Sequence, residues 1–153
     1  MEIRLIAIGR SMPGWVAEGW LEYARRMPPR LAVNLVEVAA PRGRAGEDVR
    51  ALEAEALLAR CREPGVTIAL DEAGGAWSTR ELAARLDDWM MDGDPVNLLV
   101  GGAGGHHPDL LARCRQTWSL GPLTFPHMLV RVLVAEQLYR AWTLLSGHPY
   151  HRE

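Results

Sequence analysis

Apolar residues fall along this chain in two alternating patterns, short continuous blocks and helical stripes. Ile3 to Ile8 is a block of strand length that stops at Gly9. Val16, Trp20, Tyr23, Ala24 and Met27 then recur three and four residues apart, which predicts a helix with one apolar face. Pro13 suits its first turn and Pro28-Pro29 its end. Leu31, Val33, Leu35, Val36 and Val38 predict a second strand. Beyond the loop P-R-G-R-A-G-E-D (Pro41 to Asp48), a helix is expected from about Glu47 to Arg62, with Val49, Leu52, Ala56 and Leu57 inward. Pro64-Gly65 closes it, Val66 to Leu70 is an apolar third strand, and Asp71 to Ala76 is expected as a loop.

Ser78 with Glu81 three residues later is a capping box, opening a helix whose inward residues are Leu82, Leu86, Trp89 and Met90. Gly93-Asp94-Pro95 stops it, and Val96 to Val100 is the fourth strand. Pro108 starts a short helix to about Cys114, and Gln116 to Leu120 is the fifth strand. A long helix follows from about His127 to Ser146, apolar nearly all round, and then a polar tail. Alternating strands and helices with short links predict a three-layer α/β domain on a mostly parallel sheet of five to six strands, with helices on both faces. Ligands of such sheets sit at the carboxyl ends of strands. Three such ends stand out: Leu70-Asp71, Gly101 to Gly105, and Gly121 to Pro126.

Composition narrows this picture. At 153 residues the chain is expected to be one domain with a sizeable core. No apolar run reaches membrane-span length, and no signal-peptide pattern is read at the N-terminus, so a cytoplasmic protein is expected. Cys61 and Cys114 are far apart in sequence and read as free thiols. A net charge of −2 gives no support to nucleic-acid binding by bulk charge. Every basic residue is an arginine, however, and arginine suits phosphate. Arg25/Arg26/Arg30 and Arg42/Arg44/Arg50 form two groups, each readable as phosphate contact or as solvated surface.

The candidate chemistry is unevenly specific. Gly101-Gly102-Ala103-Gly104-Gly105 is neither a dinucleotide fingerprint nor a P-loop; it serves a ligand or a tight turn about equally well. Gly121-Pro122-Leu123-Thr124-Phe125-Pro126 offers backbone groups and apolar contact, which fits an adenine-and-thioether ligand better than a phosphate. Asp71-Glu72 reads most simply as an exposed turn pair, and Glu136 with Arg140 as an i,i+4 helix pair. The five histidines lack acidic or thiolate company at ligand spacing, so no metal is expected. The last helix is either a central core helix or a dimer interface, and its all-round apolarity favours the interface.

Four stretches carry a resemblance that periodicity does not supply. L-V-G-G-x-x-G (99–105), W-S-L-x-x-L-T-x-P-H-x-L-V-R-V-L-V-A-E-Q-L-Y-R-A-W (118–142) and the terminal H-P-Y-H-R-E closely resemble the RlmH (YbeA-type) family of SPOUT methyltransferases, as does the opening I-R-L-I-A-I-G-R-S-M-P-G-W-V. The resemblance spans the chain and implies a single SPOUT domain over 1–153, with a trefoil knot within about 98–153. It implies S-adenosyl-L-methionine as cofactor, a homodimer, and methylation of N3 of a pseudouridine in 23S ribosomal RNA on the assembled ribosome. By resemblance the cofactor residues are Leu70, Gly102, Gly121, Pro122, Leu123, Thr124, Phe125 and Pro126. His127, Tyr150 and Arg152 are the catalytic candidates, and Arg140, His151 and Arg152 the RNA-facing ones. The family's common G-G-P-E-G is here G-G-A-G-G, without the acid; His106-His107 beside it is a local substitute or filler. The alternatives are a SPOUT enzyme with another RNA target such as tRNA, and a ribosome-binding factor without turnover.

Overall fold

The computed structural model describes residues 1–151. Its elements are β1 (Glu2–Ile8), α1 (Gly14–Ala24), β2 (Ala32–Val38), α2 (Val49–Leu58), β3 (Val66–Ala76), α3 (Thr79–Asp92), β4 (Val96–Val100), α4 (Pro108–Arg113), β5 (Gln116–Ser119) and α5 (His127–Ser146), then a 3₁₀ turn at Pro149–His151. The five strands form one sheet in the order β2-β1-β4-β3-β5, and every pairing is parallel. Among the described residues no helix is long and apolar enough to cross a membrane.

The strand period of two sorts β1 between two cores. Ile3, Leu5 and Ala7 face the larger core, where Trp20 of α1, Leu82, Leu86 and Trp89 of α3, and Val134 and Leu138 of α5 pack. Ile6 and Ile8 face the smaller core with Leu57 of α2 and Leu110 of α4. Helices therefore cover both faces, and central β4 is buried at all five positions, as continuous apolar runs in parallel sheets require. Inside this layer Asn97 is satisfied: its side chain accepts from Arg62 N–H at 3.0 Å and donates to Arg62 C=O at 3.1 Å.

The capping box forms as expected, with Glu81 N–H donating to Ser78 Oγ at 3.1 Å and Ser78 N–H donating to Glu81 Oε2 at 2.6 Å. Three expectations are corrected. Helix α2 begins at Val49, because the Asp48 side chain accepts from Arg50 N–H and caps it there, and it ends at Leu58. Its buried residues are Glu53 and Leu57, whereas Val49 is exposed. Strand β3 does not stop at Leu70. It continues to Ala76 past an irregularity at which both Leu70 and Gly75 align with Trp118 of β5. The segment D-E-A-G-G-A has no apolar period to mark it as strand; backbone proximity holds it instead. A Cβ on Gly74 would stand 2.7 Å from the Thr117 carbonyl carbon. Strand β5 ends at Ser119, one residue short of Leu120.

Candidate functional site at the carboxyl ends of the central strands

Strands β4 and β5 end beside the irregularity in β3, and each of these two releases a loop there. Strand β4 gives way after Val100 to the glycine cluster, which closes into a turn with Gly105 N–H donating to Gly102 C=O at 3.1 Å. Strand β5 leads into the second loop, held at its start by Ser119. The Ser119 hydroxyl donates to Gly121 C=O and accepts from Gly121 N–H, both at 3.1 Å. Gly121 has φ +120°, a conformation that side-chain-bearing residues rarely adopt. Pro126 then stands immediately before α5. The irregularity in β3 throws Asp71 and Glu72 outward beside these loops.

Between them lies a cavity of about 480 Å³, within the usual size of a small-molecule site. Of the sequence candidates, Leu70, Gly102, Gly121, Leu123, Thr124, Phe125, Pro126 and His127 line it; Pro122 belongs to the loop but not to the lining. Sequence reasoning missed Trp118, which is almost fully buried, forms one wall and stacks on Trp77 at 5.1 Å between ring centroids. It also set aside Asp71 and Glu72 as a turn pair, yet both line the cavity. The sequence marks the end Leu70-Asp71 as a ligand position by its place after an apolar run, but that reading makes no use of the acids' chemistry.

The walls are chemically suited to S-adenosyl-L-methionine. Leu70, Trp118 and Phe125 provide apolar surface, the glycine loops provide backbone donors and acceptors, and two carboxyl groups stand where a cationic ligand would be stabilised. The glycine cluster makes a tight turn and lines the cavity.

The neighbouring histidines both make structural contacts, and His106 also lines the cavity. His107 caps α4, its Nδ1 accepting from Asp109 N–H at 3.1 Å. His106 is buried, with Nε2 3.2 Å from Leu99 C=O, so Nε2 carries the proton. Burial holds this imidazole below its ordinary pKa. Between the folded and unfolded pKa values the unfolded state therefore binds more protons, and stability is lost as pH falls through the unfolded value near ~6.5. His106→Gln is expected to flatten the stability–pH curve on the acid side of neutrality. Urea unfolding at a series of pH values checks this, and an unchanged slope refutes it.

The remaining candidates lie elsewhere. Tyr150 donates its hydroxyl to Glu136 Oε1 at 3.1 Å and packs on Tyr139 at 4.8 Å. Glu136 also accepts from Arg140 Nε at 2.8 Å, and the Arg140 guanidinium lies 5.0 Å over the Tyr150 ring. Arg140 and His151 line a second, polar cleft with Arg80, Thr79 and Gln137. At about 1.5 Å per residue, Tyr139 lies roughly 18 Å along α5 from His127. One copy of the chain thus does not bring Tyr150 to the cavity that His127 lines, because α5 holds them apart. Arg152 lies outside the described residues. Burial, together with Tyr23 and Glu136, raises the Tyr150 pKa well above the usual phenol range, so the group is a hydrogen-bond donor and not a base. Among the described residues no group of three or more His, Cys, Asp or Glu is placed to hold a metal ion.

Comparison with known proteins finds relatives along the whole chain. A family model described as a predicted SPOUT methyltransferase matches residues 1–151. A ribosomal RNA large subunit methyltransferase H of Azotobacter vinelandii is 53% identical over 155 residues, covering 99% of this chain and 100% of that protein. The protein of the same name from Alkalilimnicola ehrlichii is 54% identical with 99% of both chains covered. One from Pseudomonas aeruginosa is 51% identical over 99% of this chain and 100% of its own length.

Proposed function

The chain belongs to the SPOUT methyltransferase family, and on that premise we propose that it methylates N3 of a pseudouridine in large-subunit ribosomal RNA on the assembled ribosome, with S-adenosyl-L-methionine as donor. The observation that carries the reading is the cavity at the carboxyl ends of β4 and β5 and the irregularity in β3, whose walls are loop backbone, apolar side chains and two carboxyl groups. When bound, the donor supplies a methyl group already activated on a cationic sulfur. The protein's task is to hold and orient. Leu70, Trp118 and Phe125 would enclose the apolar part of the donor, while Gly102, Gly121 and Thr124 would fix its polar edges. His127, at the rim, would position the uracil edge. The whole chain acts as one catalytic domain in the cytoplasm, and its C-terminal part, about 98–153, carries the knotted threading.

Two copies of the chain complete the site. Met128, Leu129, Val132 and Leu133 of α5 stay partly exposed, and Trp15 and Leu21 of α1 are exposed outright. An apolar face of that kind supports a homodimer. Dimerisation is also the way for the Tyr150 and His151 end of one copy to approach the cavity of another. Arg140, His151 and Arg152 then face RNA, with Arg152 pairing with phosphate.

Methyl transfer from labelled S-adenosyl-L-methionine to ribosomes of a strain lacking this gene, with free ribosomal RNA and tRNA alongside, tests the reading. Label at pseudouridine on assembled ribosomes is expected. Label on tRNA alone would establish another target, and donor binding without transfer to any RNA would establish a non-catalytic binding factor. Tyr150→Phe is expected to lower the methylation rate on ribosomes about tenfold while leaving donor affinity unchanged, since it removes one positioned hydrogen-bond donor that stands outside its own copy's cavity and reaches the reacting centre only from the partner copy. Unchanged turnover would remove Tyr150 from the mechanism.

A further inference from the structure

Helix α2 buries its inward face against the smaller core, and Leu57 fills that core. One turn earlier the same face carries Glu53, a carboxylic acid with only 7% of its surface exposed. Its carboxylate lies against the Gly102 backbone, and among the described residues it forms no ion pair with a cation. Burial pushes its carboxyl above the usual range, and the Gly102 amide pulls the other way. A buried carboxylate without a counter-charge costs stability, and an apolar residue of similar size would fill such a site at less cost. The reason for an acid here is therefore to be sought in what it holds.

What it holds is the glycine loop. A Cβ added at Gly102 would collide with Glu53 Oε2, so the carboxylate lies directly beneath that residue. The Gly102 carbonyl accepts from Gly105 N–H at 3.1 Å. The Gly102 carbonyl thus closes the turn, the Gly102 backbone rests on α2, and Gly102 lines the cavity. A turn earlier on α2 the aliphatic stem of Arg50 lies beneath Gly104, 3.6 Å from where its Cβ would stand. The first turns of α2 are a backing plate for the loop. Glycine leaves the backbone free to adopt many conformations, so a loop of four glycines and an alanine needs such a backing to keep one shape.

We propose that Glu53 is a positioning residue for the methyl-donor cavity, its carboxylate holding the 101–105 loop in the donor-binding shape through its polar contact with the Gly102 backbone from beneath. This rests on the donor reading given above. It also offers a physical counterpart to the acid missing from G-G-A-G-G, supplied from beneath the loop and not from within it.

The test compares the full chain with Glu53→Leu and Glu53→Gln. S-adenosyl-L-methionine affinity is measured by titration calorimetry, turnover by methylation of ribosomes, thermal stability by circular dichroism, and loop order by amide hydrogen exchange. Glu53→Leu is expected to weaken donor affinity and raise the donor KM about tenfold, equivalent to about 1.4 kcal/mol. Its kcat should stay within about threefold, its Tm should be kept or raised, and exchange in 101–105 should quicken. Glu53→Gln keeps an acceptor oxygen and should bind donor within about threefold of wild type. Wild-type affinity in Glu53→Leu would overturn the proposal. So would an affinity loss matched by a fall in Tm, or a Glu53→Gln as weak as Glu53→Leu. A wild-type protein that binds no donor would overturn the donor reading and this role with it, a result distinct from wild-type binding that Glu53→Leu retains.

Discussion

Arg131→Ala is expected to destabilise the protein by about 3 kcal/mol and to lower its Tm by roughly 10 °C. Arg131 is fully buried in a helix whose neighbours at that depth are Val134, Ala135 and Leu138. Its guanidinium is nearly satisfied: Nη1 donates to Glu37 Oε2 at 2.8 Å, and Nη2 donates to Gly9 C=O at 2.8 Å and Ile8 C=O at 3.2 Å. One side chain from α5 thereby ties down the carboxyl ends of β1 and β2. Truncation leaves a side-chain-sized void and strands two carbonyl groups, while Glu37, about one-third exposed, is partly rescued by water. Denaturant unfolding followed by circular dichroism measures the loss. A change below about 1 kcal/mol would show that the clamp contributes little beyond filling space.

Gly121→Val is expected to cut methyl transfer about 100-fold with only a modest loss of stability, because a small misplacement at a reacting centre costs that much. Gly121 is the hinge from which the second loop leaves β5, and its φ of +120° strains any side-chain-bearing residue, a β-branched one most. No atom crowds the position, so the damage is conformational and not a clash. Strain of about 1–3 kcal/mol would be relieved by moving the loop. That loop carries Leu123, Thr124, Phe125 and Pro126 into the cavity wall. Initial rates on ribosomes, with donor affinity measured in parallel, test this; a variant within about threefold of wild type would mean the loop tolerates the change.

Much of the architecture was legible because the chain is locally consistent. Apolar blocks at Ile3–Ile8, Val66–Leu70 and Val96–Val100 could only be buried strands once helical stripes stood between them, and the Ser78/Glu81 box marks the start of α3. The bounds of α5 came directly from Pro126 and Gly147 on either side of an apolar run. Residues 71–76 were read wrongly for the opposite reason. Small and acidic residues carry no period, and that piece of β3 exists only because β5 lies close enough to pair with it.

The sequence by itself determined the layered parallel fold, because burial period and capping are properties of neighbouring residues, and its motifs carried the resemblance to the family. Tertiary structure alone decided that Asp71, Glu72 and Trp118 share one cavity with the two glycine loops. It also decided that Tyr150 stands with Glu136 and Arg140 well along α5 from His127, and that Glu53 lies beneath Gly102. Each of these depends on the distance between residues far apart in the chain, which the packing of helices on the sheet sets and no local pattern encodes.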